Sequence, residues 1–501
     1  MNIDFRLFTM PTEGLLVIAL PESKQLCAIG KQLDSIMTGA IARSLATTRF
    51  SGAFGETVDL ACPAGVGPDH ILLIGLGNAA AMTLNQWEVI GGKVCAHAKN
   101  PSLSSLAFYL SDNTDTTASP EAILSHVAFG ALLKSYRFEK YRTVKSFQLE
   151  RLSLMANDVK PIAAELTFKR LKAIADAIFL TRNLVLEPAS VMTPMALCSM
   201  AEALTQYQVK TQIFSGDQAL ADDFPATLAV GQGSVETSAV CVMEWRGIHG
   251  DKKPVIALAG KGVTFDAGGL TIKSESQQRL MKMDMAGAAT IIAVMQAIAM
   301  LKLDIGIVAA FGAVENMPGS NAYRSGDVIA MKNQTSVEVT FPDAEGRLVL
   351  ADLNTYLCRT YRPNFLLDVA TLTATVVAAL GDGCTGMFSN DDQLASALLQ
   401  AAEQANEPMW RLPQGKTYLA SLDSHIADMK NMPAPNYIGV LAGSASVAAS
   451  FLEHFSEDCA WAHLDMSGSA WQVAESDLGP DGATGALVRT LIYWLESMDN
   501  K

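Results

Sequence analysis

Paired cysteines, a leader-like start and membrane-length apolar runs are all missing from this chain, and each absence narrows what it can be. The eight cysteines, Cys27, Cys62, Cys95, Cys198, Cys241, Cys358, Cys384 and Cys459, include no CxxC pair. In a chain this long they read as reduced, mostly buried, small apolar residues of a cytosolic protein. The opening MNIDFRLFTMPTEG lacks the basic-then-apolar order of a signal peptide. The longest apolar stretch, residues 285–301, contains Gly287 and Gln296 and stops short of the roughly 20 residues a membrane span needs. Charged residues make up only 18% of the chain and sum to −14. An acidic chain repels a phosphate backbone, which argues against non-specific nucleic-acid binding, although a local basic patch is compatible with that total. No internal repeat or low-complexity segment occurs. These absences predict a soluble cytoplasmic protein with no membrane span and no nucleic-acid partner.

What is present suits a large α/β protein. Half of the residues are apolar, and 501 residues exceed the roughly 250–300 at which a single core stops growing, so two domains are expected. The 37 glycines and 19 prolines suit a loop-rich α/β enzyme. Apolar runs alternate with helix-like segments through most of the length. Residues 70–77 (HILLIGLG) read as a buried strand running into a glycine turn, and residues 86–98 as a helix. The pair Gly75-x-Gly77 is a weak dinucleotide-loop cue; no full GxGxxG follows, so a tight strand-to-helix turn is the better reading. Residues 159–180 have helical apolar spacing and precede Glu187-Pro188 and Thr193-Pro194, which interrupt regular structure and suit a junction. The organisation expected is a smaller amino-terminal α/β domain over 1–155, a linker helix and junction over 156–190, and a larger carboxy-terminal α/β domain over 191–501 with a central mixed sheet. In that second half, residues 254–260 (PVIALAG), 305–312 (IGIVAAFG) and 365–370 (FLLDVA) read as strands buried on both faces, with residues 285–300 as the helix beside them.

Three charged clusters lie at or near the ends of these runs. Residues 260–273, GKGVTFDAGGLTIK, place Lys261, Asp266 and Lys273 in a glycine-rich stretch after a strand. Asp284 stands in MKMDMAGAA just before a helix, and FPDAEGRLVLAD brings Asp343, Glu345 and Arg347. In open α/β sheets, ligand sites form just outside the carboxyl ends of strands. Alternation of 343, 345 and 347 predicts an extended segment that aims two carboxylates and a guanidinium at one volume. Anions held that close repel unless a cation lies between them. A pair of divalent metals would balance the four carboxylates Asp266, Asp284, Asp343 and Glu345. Oxygen ligands admit Zn²⁺, Mn²⁺ or Mg²⁺. None of the seven histidines falls in these clusters, which argues against a histidine-based zinc site. Singly, each Asp reads equally as a helix or turn cap, and Lys273 and Arg347 as surface ion-pair partners.

These motifs resemble those of the leucyl aminopeptidase family of two-metal exopeptidases. The resemblance continues through TRNLVLEPASVMTP, EPMWRL, IADMKN and WAHLDMSGSAW, over roughly residues 180 to 490 in order, and is loose over the first 150. It implies a metalloprotease, a hydrolase that releases N-terminal residues from peptides by attack of a metal-bound water. One metal would be held by Lys261, Asp266, Asp284 and Glu345, the other by Asp266, Asp343 and Glu345 with a backbone carbonyl. Asp266 and Glu345 would bridge. Lys261 would have to be neutral, which a neighbouring dication allows. The resemblance makes Lys273 and Arg347 the catalytic pair: Lys273 stabilises the oxyanion, and Arg347 holds a bicarbonate that acts as general base. It places the substrate side chain against Met281, Thr371, Ala374, Ser467 and Ala470, with the Leu372 carbonyl accepting a substrate hydrogen bond. It also implies a homohexamer in the cytoplasm acting on peptides with a free amino terminus.

The chain departs from the family pattern at Phe341-Pro342, where Asn-Thr is usual, and at Ala374, where Gly is usual. Pro342 removes a backbone donor beside a metal ligand. Two rival readings remain at this point: another two-metal chemistry such as ester or phosphoester cleavage, and a non-enzymatic DNA-binding role known for some relatives. All ligand and catalytic positions being intact favours catalysis.

Overall fold

The computed structural model describes residues 1–61, 63–98, 103–112, 114–435 and 443–499, which leaves Cys62 outside the described residues. The chain forms two compact units: Met1–Ala175 together with Ala474–Pro480, and Asp176–Val473 together with Asp481–Lys501. The long helix Pro161–Leu186 carries the chain from the first into the second.

The first unit is built on six strands: β1 (Asn2–Leu7), β2 (Leu15–Leu20), β3 (Thr57–Ala61), β4 (His70–Gly75), β5 (Ser105–Tyr109) and β6 (Arg151–Ala156). They lie in the order β1-β6-β5-β2-β4-β3, parallel except for the antiparallel edge strand β3. Continuous apolar runs make the inner strands. LLVIAL of β2 is buried at every position, as a strand covered on both faces must be. The helix Leu84–His97 follows β4, started by a capping box between Thr83 and Gln86.

The second unit holds β7 (Lys210–Ser215), β8 (Ala239–Arg246), β9 (Ile256–Asp266), β10 (Gly306–Asn316), β11 (Val328–Ala330), β12 (Ser336–Glu338), β13 (Phe365–Ala370), β14 (Thr385–Ser389), β15 (Met409–Arg411), β16 (Met429–Lys430) and β17 (Ala460–Asp465). Eight of these make a mixed sheet, ordered β15-β14-β17-β13-β9-β10-β8-β7, and β11-β12-β16 make a small second sheet. The central strands β17, β13, β9 and β10 are mutually parallel.

The structure corrects one strand end. The sequence reading stops the strand at Gly260 and puts GKGVTFD in a glycine-rich stretch after it, but β9 continues through it to Asp266. The glycines there serve close packing rather than a turn. A Cβ on Gly260 would lie 2.9 Å from Ala288 Cα, in the helix Ala286–Leu301, and one on Gly262 would lie 2.5 Å from the Gly312 carbonyl on β10. That helix packs on β9 and β13. Together with the turn before it, Met281–Leu301 has a membrane span's length and hydropathy, longer than the 17-residue run the sequence suggests. Yet 83% of its most apolar window is buried inside the protein, where it forms core. All seven described cysteines are free thiols; Cys358 Sγ and Cys459 Sγ lie 3.1 Å apart.

Candidate active site

Strand ends and helix starts of the second unit build the site. β9 carries Lys261 and ends on Asp266, and β10 ends beside it on Asn316, in register opposite Asp266. Lys273 follows a tight turn at Gly268, where φ is +88° and a Cβ would lie 2.2 Å from the Thr271 carbonyl oxygen. Only glycine tolerates both. Asp284 ends the 3-10 turn Met281–Met283 just before the helix Ala286–Leu301. Glu345 is the N-cap residue of the helix Gly346–Tyr361, and Arg347 lies in its first turn.

The period-two argument for 343, 345 and 347 is not met. Pro342 and Asp343 form a turn, and Glu345 already has helical angles, φ −76° and ψ −37°. The cause is the neighbouring segment: the apolar residues of GRLVLADLNTYL recur at helical spacing, and the helix they form reaches back to Glu345. The missing Pro342 amide leaves no gap, because other groups hold this turn. Tyr323 Oη and Asn316 Nδ2 donate to the Pro342 carbonyl at 2.5 and 3.1 Å. Asn431, delivered by β16, accepts from Thr340 N at 2.8 Å and Phe341 N at 3.2 Å, and donates to the Phe341 carbonyl at 2.8 Å.

All seven charged candidates converge. Lys261 Nζ lies 2.7 Å from Asp284 Oδ2 and 2.8 Å from Glu345 Oε1. Lys273 Nζ lies 2.7 Å from Asp266 Oδ2 and also pairs with Asp343 Oδ1. Asp266, Asp343 and Glu345 offer oxygens that all lie within 4.8 Å of one another. Arg347 is buried, donates from Nη1 to the Asn431 carbonyl at 2.8 Å, and leaves its Nε without a partner.

The electrostatics show negative charge that the protein does not itself neutralise. Burial, then Glu345 and Asp266, push Asp343 up to about 8. Burial lifts Asp284 to about 7, against the pull of Lys261. Burial and Glu345 raise Asp266 as well. Burial would also raise Glu345, but Lys261 and Lys273 outweigh it and hold this carboxylate below its usual range. Both lysines are pushed above the ordinary lysine value, the surrounding carboxylates outweighing burial. Burial draws Arg347 down to about 10, with Glu345 and Asp465 pulling the other way. Four acids against two ammonium groups and one guanidinium leave a negative charge in excess, and so room for added positive charge. Asp284 Oδ2 faces the Lys261 ammonium at 2.7 Å, and its Oδ1 accepts from Thr371 Oγ1 at 2.7 Å. The donor set therefore fits divalent metals.

Beside this cluster opens a cavity of about 540 Å³ with a wall formed by Leu280, Met281, Met283, Phe341, Val377 and Met432. Of the expected pocket residues, Met281, Thr371, Leu372, Ala374 and Ser467 line it. Ala470 lies outside the lining, buried with its amide bonded to the Met466 carbonyl at 2.8 Å. Three further residues escaped the sequence reading: Asn316, Asn431 and Asp465. Asp465 accepts from Leu372 N at 3.2 Å and Thr373 Oγ1 at 2.7 Å, fixing the turn that borders the cavity. Their shared signal was a polar residue at or just beyond a strand end.

Comparison with known proteins agrees with this geometry. Residues 179–492 match the catalytic domain of the cytosol aminopeptidase family, and residues 17–145 match that family's N-terminal domain. A probable cytosol aminopeptidase of Chelativorans sp. is 36% identical over 497 residues, covering 98% of this chain and 97% of that protein. Among solved structures, a mutant of tomato leucine aminopeptidase superposes with a TM-score of 0.85 at 28% identity, covering 99% of this chain and 96% of that one. The bottromycin maturation enzyme BotP in complex with Mn gives 0.83 at 29% identity, covering 97% and 99%. The two α/β units, the carboxylate-lysine cluster and these matches together show that the chain belongs to the cytosol aminopeptidase family, as a metal-dependent hydrolase that removes residues from the amino terminus of peptides.

Proposed function

We propose that the site works with two divalent ions, Mn²⁺ or Zn²⁺, held by Lys261, Asp266, Asp284, Asp343 and Glu345, with Asp266 and Glu345 shared. The observation that carries this reading is the clustering of three acids within 4.8 Å beside two further ligand candidates, Asp284 and Lys261, that are themselves 2.7 Å apart. When bound, two such ions act as Lewis acids and make a hydroxide available at neutral pH. Lys261 would have to give up a proton from Nζ to serve as a ligand; the surrounding carboxylates raise its pKa, and the charge of a bound dication would offset them. Lys273 keeps its proton and, at the cavity edge, donates to the oxyanion that develops on the scissile carbonyl. Arg347 would hold a bicarbonate, with its unpartnered Nε among the donors available, and that ion would supply a general base. The cavity wall of Leu280, Met281 and Phe341 favours an apolar, leucine-type first side chain. The Leu372 carbonyl, on the turn that Asp465 fixes, accepts a hydrogen bond from the substrate, whose amino terminus faces the acids. By its family this protein would assemble as a homohexamer in the cytoplasm.

The test is a panel of leucine amide, the same amide acetylated on nitrogen, and a phosphodiester. Only the free-amine substrate turns over on this reading. Hydrolysis of the acetylated amide, or of the phosphodiester at comparable rate, would contradict it.

A further inference from the structure

We propose that Asn316 is a positioning residue of the metal centre, its side-chain amide fixing the orientation of the two carboxylates, Asp266 and Glu345, that both ions share. This rests on the two-ion reading above and deepens it.

Asn316 is fully buried at the end of β10. Its Nδ2 lies 2.9 Å from Asp266 Oδ1, 3.3 Å from Glu345 Oε2 and 3.1 Å from the Pro342 carbonyl. One neutral donor group thus reaches both shared carboxylates and the turn that carries Asp343. The opposite orientation of the amide would set Oδ1 against three acceptor oxygens, so the network admits one orientation only. Oδ1 is left buried without a hydrogen bond, walled in by Gly269, where a Cβ would come within 2.7 Å of it. An orphaned buried acceptor is costly, and the nitrogen side is where the compensation lies. The backbone of the same residue adds to the hold: its carbonyl accepts from Ala267 N at 3.0 Å and Gly269 N at 3.3 Å, on the segment just after Asp266. A lysine or arginine here would compete with metal ions for the same oxygens. A neutral amide orients carboxylates without neutralising them, as hydrogen-bonding partners behind metal ligands generally do.

The experiment uses the full-length protein stripped with chelator, titrated with Mn²⁺ by calorimetry, and melted with and without metal. Two variants are compared with the wild type: Asn316→Leu, which keeps the branched shape and removes the donors, and Asn316→Ala, which removes them without adding bulk. The expected result is a 10–100-fold weaker Mn²⁺ affinity in both, with metal-free proteins that still melt cooperatively. Much of the lost activity should return at saturating Mn²⁺, which a general loss of fold would not allow. Wild-type protein binding two ions while both variants bind them equally tightly overturns this inference alone. Wild-type protein that binds no Mn²⁺ overturns the metal reading and this inference with it.

Discussion

Lys273 and Lys261 lie among the same acids, and the proposed mechanism gives them different tasks. Both line the cavity, but Lys261 has only 4% of its side chain exposed and Lys273 13%. Replacing Lys273 by alanine should lower kcat about 10²–10³-fold, as loss of an oxyanion donor does, while both metals stay bound. Steady-state kinetics with metal analysis of the same sample checks this; loss of metal in parallel with rate would make Lys273 a ligand. Asp352 permits a pH prediction away from the site. Burial holds this carboxyl up at about 8, although Thr227 N donates to it at 2.7 Å. An unfolded Asp titrates near 3.9. The folded state therefore keeps a proton that the unfolded chain has lost. The stability this provides is complete below about pH 4 and is lost as pH rises towards about 8. Asp352→Asn should flatten the fall of melting temperature over that window, and parallel profiles for the two proteins would refute the assignment. The seven charged candidates were singled out in the sequence because they cluster beside apolar runs, whereas Asp465, a lone acid at the end of another such run, was missed. Asn316 and Asn431 were missed too, since a neutral amide gives no charge signal and its role depends on partners far away in the chain.

At the scale of elements, three central strands of the second unit, β9, β10 and β13, were legible from their apolar runs, but their ends were not. The glycines of GKGVTFD marked the strand's end in the sequence, whereas their absent side chains are what let β9 lie against a helix and a neighbouring strand. Gly287 makes the same point from the helix side. A Cβ there would meet the Val369 carbonyl oxygen at 2.1 Å and Lys261 N at 3.0 Å. Both are backbone atoms of central strands and cannot step aside. Gly287→Ala should therefore destabilise at the upper end of the about 1–3 kcal/mol typical of overpacking, read as a lower denaturation midpoint. An unchanged midpoint would show that this helix does not pack as tightly as described. The segment 341–347 failed in the opposite way: a period-two pattern of charges looked extended, and the apolar helix behind it prevailed. The convergence of side chains survived because a helix start, like a strand end, gathers polar groups at a sheet's carboxyl edge.

For the whole molecule, the sequence conveyed two α/β parts, and the family comparisons cover both of them. It did not convey that Ala474–Pro480 belongs with the first unit, because a seven-residue return has no compositional mark. The net charge of −14 bears on partners. It predicts no shift of duplex DNA on a gel at about 0.15 M salt, where screening already weakens basic patches. A salt-resistant complex would revive a nucleic-acid role. The central claim, hydrolysis that depends on two divalent ions held by one lysine and four carboxylates, is tested most directly by following leucine-amide hydrolysis and bound metal together. Chelator-stripped protein is titrated with Mn²⁺. The account predicts no turnover without metal, and activity that rises and levels off as two ions per chain bind. Full activity in protein shown to be metal-free would contradict it.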